Sequence, residues 1–125
     1  MLAITTSVCT KLTSVAVESG HVRSVALVLN DNPWMPRTDE WLALPGVFTA
    51  ASVPIRLLGD RYAIKKATKT WGETVVDKGK VLEAWAKVVS AALAAGRAVT
   101  AFANNHFAGY APASAEGLAE MVKAE

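Results

Sequence analysis

The stretch Lys80 to Ala103, KVLEAWAKVVSAALAAGRAVTAFA, decides the fold. Val81, Leu82, Trp85, Val88, Val89, Ala92 and Leu93 recur at helical spacing, so one apolar stripe runs along a helix expected over residues 80–95. Gly96 supplies its stop. The run from Ala98 to Ala103 is then apolar without alternation, as a parallel strand covered on both faces requires, and it ends at Asn104 and Asn105. Upstream of the helix, the run Val53 to Leu58 is of the same kind and stops at Gly59 and Asp60. A helix between two such strands is a βαβ unit with parallel strands. A third run, Val25 to Leu29, ends at the polar cluster Asn30, Asp31, Asn32, Pro33. The expectation is an α/β fold with three parallel strands, at 25–29, 53–58 and 98–103, under covering helices. Ser114 is placed to cap a final helix that carries Leu118, Met121 and Val122 on one face. A further helix near Lys11 to Ser19 is weakened by the threonines around it.

The chain has 125 residues, 52% of them hydrophobic and 19% charged, enough to bury one core and too apolar for a disordered tail. A net charge of +2 is too small to predict a nucleic-acid surface. The lone Cys9 excludes an intrachain disulfide and a multi-cysteine zinc site, and reads as a buried small hydrophobe in a reducing compartment. No apolar run reaches the length of a membrane span, and the first residues have no signal-peptide pattern, so the expected location is the cytoplasm. Walker, GxGxxG, HExxH and GxSxG motifs are absent, which removes the defining parts of nucleotide, dinucleotide, zincin and α/β-hydrolase sites. No cofactor and no metal are expected.

Each apolar run ends in a polar cluster: Asn30 and Asp31, then Gly59, Asp60 and Arg61, then Asn104, Asn105 and His106. Parallel α/β folds bind ligands at the carboxyl ends of their strands, so the clusters should share one rim. Arg56 interrupts an apolar strand, and a period of two sets it on the face opposite Ile55 and Leu57. Its guanidinium either faces an anion or pairs with a neighbouring carboxylate. Arg56, Asn104, Asn105, Asp60, Arg61 and Trp34 are the candidate ligand-binding residues, and Asp31 and His106 the candidate acid/base groups. The plainer readings are that Asp31 caps the Asn32-Pro33 turn, that the asparagines bond turn backbone, and that His106 packs in its loop. Lys65, Lys66 and Lys69 with Arg61 make a basic cluster that either meets a phosphate or, more plainly, is a solvated helix face. Trp85 belongs to the apolar stripe, and His21 beside Gly20 reads as a loop residue.

The segments Ile55-Arg56-Leu57-Leu58-Gly59-Asp60-Arg61, TWGETVVD ending at Asp77, and FANNHFAGYAP over 102–112 resemble the YecE-like family, domain of unknown function seventy-two. The double asparagine followed by Gly-Tyr-Ala-Pro is the most specific part, and the resemblance covers about residues 21–122. It implies a TIM-type β/α barrel of unestablished function. Leu58 stands where many members carry histidine, which removes one acid/base or ligand group from that position. A complete barrel takes about 250 residues, so residues 1–125 read as a single partial domain, roughly the carboxyl-terminal half, with residues 1–20 unassigned. Two functions follow from different classes. One is binding or transformation of a small anionic or polyhydroxylated ligand at the strand ends, held by Arg56 and oriented by Asn104 and Asn105. The other is a catalytically inert subunit that needs the missing barrel half or a second copy of itself. Nucleic-acid processing rests on analogy with other barrels alone.

Overall fold

The computed structural model describes residues 2–6 and 25–124. The helix expected at Lys11 to Ser19, Cys9 and His21 lie outside the described residues. The elements run β1 (Leu2–Thr6), β2 (Leu29–Asp31), α1 (Thr38–Ala43), β3 (Ser52–Leu57), α2 (Arg61–Ala67), α3 (Gly79–Ala94), β4 (Ala98–Ala103), α4 (Asn105–Ala108) and α5 (Ala111–Ala124). One sheet has the order β1-β4-β3-β2, and all three pairings are parallel. The three strands read from the apolar runs are therefore parallel neighbours, and α3 bridges β3 and β4 as the βαβ pattern requires.

Four details depart from expectation. The sheet has a fourth strand, β1, which pairs with β4 from Leu2↔Val99 to Thr6↔Ala103. Its threonines count against a helix, and the same β-branching favours a strand. The first apolar run does not form its strand at 25–29. There the hydroxyl of Thr49 stands in for a ladder, accepting from the Leu27 N–H at 2.8 Å and donating to the Val25 carbonyl at 2.7 Å. The ladder itself runs Leu29↔Ile55, Asn30↔Arg56, Asp31↔Leu57. Leu58 lies outside β3, although its N–H still donates to the Asp31 carbonyl at 3.0 Å as the last rung beside Asp31↔Leu57. Finally, α5 begins at Ala111, so Ser114 sits inside the helix and is not its cap. Asn105 Oδ1 accepts from the Ala111 N–H at 2.8 Å and takes the capping role.

The core lies on the α3 side of the sheet. Val53, Ile55 and Leu57 of β3, Val99, Ala101 and Ala103 of β4, and Leu29 of β2 are almost fully buried, together with Trp85, Val88, Val89 and Ala92 of α3 and Leu118 of α5. Along β4, buried and half-buried residues alternate, so its two faces are not equally covered, although the run is apolar throughout. At Gly117 of α5 an added Cβ would lie 3.4 Å from Leu82, which shows how closely α5 approaches α3. The register sets the faces. The row Leu29, Ile55, Ala101 meets the core, whereas the row Asn30, Arg56, Phe102 lies on the opposite face.

Candidate functional site

The carboxyl ends of β2, β3 and β4 are held together by backbone. The Asp31 carbonyl accepts from the N–H groups of Leu58, at 3.0 Å, and Gly59, at 2.8 Å, while the Asn104 N–H donates to the Leu57 carbonyl at 3.0 Å. The three polar clusters thus leave the sheet at one end, as the sequence pattern implied. Gly59 makes the tight junction possible. Its φ is +64°, and an added Cβ would lie 2.7 Å from the His106 carbonyl oxygen and the Phe107 Cα. Only a residue with no side chain lets the turn after β3 meet α4 so closely.

Beyond Gly59, Asp60 caps α2, its Oδ1 accepting from the N–H groups of Tyr62 at 2.9 Å and Ala63 at 3.1 Å. Beyond β4, Asn104 caps α4 in the same way, accepting from the His106 N–H at 2.9 Å. The helix ends at Gly109, with φ +109°, where an added Cβ would lie 2.7 Å from the Glu73 carbonyl. The Ala108 carbonyl accepts from Val75 at 2.8 Å and Val76 at 3.2 Å. In this way the segments 55–61, 70–77 and 102–112, widely spaced in sequence, meet around one four-residue helix.

His106 lies on α4 with its ring edge-on to Trp71, the centroids 5.1 Å apart and the planes at 82°. Burial holds its pKa below the usual 6.5, and the cationic Lys65 and Arg61 push it in the same direction. The ring is therefore neutral at neutral pH, able to accept a proton or donate an N–H. Arg61 lies over the Tyr62 ring at 5.0 Å, and Lys78 over Phe107 at 5.5 Å. Lys65, Lys66 and Lys69 are exposed, as a solvated face predicts.

Arg56 is 6% exposed and Asn30, its register partner on β2, is 8% exposed. Asn30 Oδ1 is buried without a hydrogen-bond partner among the described residues. Arg56 is engaged by an interaction of its own. Asn30 carried no sequence signal beyond its place at a strand end. The signal that would have found it is its register opposite Arg56, which a sequence without strand pairing does not give.

Two predicted site residues stand apart from this group. Asp31 pairs with Leu57 and so lies on the core face, opposite Arg56, where its Oδ2 accepts from Trp85 Nε1 at 2.7 Å. The turn that follows is closed by Asn32, whose Oδ1 accepts from the Trp34 N–H at 3.0 Å, and not by Asp31. Trp34 is 71% exposed. Among the described residues no cluster of His, Cys, Asp and Glu could hold a metal ion, and no helix is long and apolar enough to cross a membrane.

Residues 13–125 match the family described as "Protein of unknown function DUF72", and the chain belongs to that family. No curated protein and no solved structure matches it significantly.

Proposed function

We propose that this member of the DUF72 family forms one arc of a TIM-type β/α barrel that binds, and in its complete form transforms, a small anionic or polyhydroxylated ligand at the carboxyl ends of its strands. The observation that carries this reading is Arg56, a guanidinium 6% exposed one residue from the end of β3, on the sheet face opposite α3. Burying an arginine is costly unless a specific acceptor uses its fork. The asparagines support the same sign of charge. The amide oxygens of Asn104 and Asn105 accept from backbone N–H groups, so the amide NH2 is the end each can offer. Asp60 likewise turns its Oδ1 to the start of α2. The two amide NH2 groups at α4 are thus offered as donors, which suits a carboxylate, a phosphate or a cluster of hydroxyls. Neutral His106 is the acid/base group of this reading.

The test is titration of the chain with inorganic phosphate and with glycerol 3-phosphate, followed by amide NMR and thermal melting. Saturable shifts at Arg56, Asn104 and His106 are expected, and Arg56→Met should abolish them while the fold persists. Equal titration of the variant removes Arg56 from the site.

A second reading, an inert subunit that needs a partner, is favoured by the strand count. Among the described residues the sheet has four strands, where a closed barrel has eight. Failure of both titrations in a well-folded chain would favour it.

A further inference from the structure

A cleft of about 280 Å³ opens between the turn after β2 and the first turns of α3, on the side of the sheet away from Arg56. Met35, Val81 and Ala84 give it apolar walls, and Asp31 lines it at the end of β2. Its two cations and two carboxylates balance in number but are not all paired. Arg37 and Asp39 also line the cleft, but they pair with each other at 3.1 Å and are largely exposed. Lys80, the remaining cation of the lining, is exposed and makes no ion pair with Asp31. Asp31 is half-buried, and its partner among the described residues is the indole N–H of Trp85, at 2.7 Å to Oδ2. A single neutral N–H fixes the orientation of a carboxylate without neutralising it. An oriented carboxylate with apolar walls beside it attracts a cation more strongly than one in open water.

We propose that this cleft is a binding site for a primary ammonium group on a short apolar chain, with Asp31 as its counter-ion. The ammonium reaches the carboxylate oxygen that Trp85 leaves, and the alkyl chain lies against Met35, Val81 and Ala84. Lys80 opposes such a ligand through like charge, so removing that charge strengthens binding. The site is independent of the anion reading for Arg56, which lies on the other face of the sheet.

The experiment titrates the chain with n-butylammonium chloride and, separately, with 1-butanol, which has the same shape without the charge. The indole N–H resonance of Trp85, assigned with Trp85→Phe, reports directly on Asp31. A saturable shift with butylammonium and affinity for butanol roughly tenfold weaker or worse are expected. Asp31→Asn keeps an acceptor for Trp85 and should remove the preference for the amine, while a urea melt verifies that the variant is folded. Lys80→Gln should bind butylammonium more tightly. Equal response to both probes, an unaltered amine preference in Asp31→Asn, weaker binding in Lys80→Gln, or no response of the Trp85 resonance would each overturn the proposal.

Discussion

Trp85 Nε1 donates to Asp31 Oδ2 at 2.7 Å, joining the middle of α3 to the last residue of β2 across 54 positions of sequence. The indole is 1% exposed, so its N–H would have no water to turn to if the carboxylate were removed. Trp85→Phe keeps most of the ring's packing and discards the donor. It should cost about 1.5–3 kcal/mol, the range for a hydrogen bond to a charged group. Asp31→Asn, which still offers an acceptor, should cost less. Urea denaturation with an unchanged slope checks both, and a loss in Asp31→Asn as large as in Trp85→Phe would mean that the carboxylate serves something other than the indole.

The described glycines with positive φ divide into two groups that substitution should separate. Gly46 and Gly96 have positive φ and open space around the missing side chain. Gly59 and Gly109 combine positive φ with backbone atoms 2.7 Å from where a Cβ would sit. Alanine at Gly46 or Gly96 should cost about 1–2 kcal/mol, the strain of a left-handed conformation. At Gly59 or Gly109 the collision with backbone adds to that strain, and a total of roughly 3 kcal/mol or more is expected. Thermal melts of the four alanine variants rank them, and Gly59→Ala should also displace the resonances of His106 and Phe107.

What could be read in advance follows from which forces are local. The stripe Leu82, Trp85, Val89 and the run Val99 to Ala103 report burial directly, so α3 and β4 were legible to within a residue or so. The polar clusters at the strand ends were legible because turns need such residues. The start of β2 was not, because one distant hydroxyl, that of Thr49, replaces the ladder along Val25 to Leu27. Nor was the face on which Asp31 lies. With the strand set at 25–29, Asp31 read as part of the loop beyond it, whereas the ladder includes Asp31 and alternation then opposes it to Asn30 and Arg56. Trp85 was read correctly as core, but its N–H needed a partner that no spacing within α3 could name.

His106 should make stability depend on pH in a predictable direction. Its pKa in the folded chain is lowered, first by burial and then by Lys65 and Arg61. Below the ordinary 6.5 the unfolded chain takes up a proton that the folded chain resists, so the folded state loses stability as pH falls through that value. Above 6.5 the contribution is fully present. Thermal melts from about pH 8 down to about pH 5 should therefore fall more steeply for the wild type than for His106→Gln. Lys65→Gln and Arg61→Gln should each raise the His106 pKa measured by NMR. Because burial is the larger cause, the two together should restore only part of the shift.

The last expectation concerns the edges of the sheet. Among the described strands, β1 and β2 are the outermost, and each is paired on one side only. An edge strand presents unpaired N–H and C=O groups outward, a template for another strand unless something covers it. A β/α barrel removes the problem by closing with eight strands, twice the number among the described residues. All three pairings here are parallel, so a second four-stranded arc placed edge to edge would continue the ladder without reversing direction. We therefore expect the chain to self-associate. Size-exclusion chromatography with light scattering should give a mass above the 13.2 kDa of one chain, rising with concentration. Dilution should expose apolar surface to a hydrophobic dye and broaden the thermal transition. A concentration-independent monomer with one sharp, cooperative melt would show that the edges are already protected, and would remove self-association from the account of this fold.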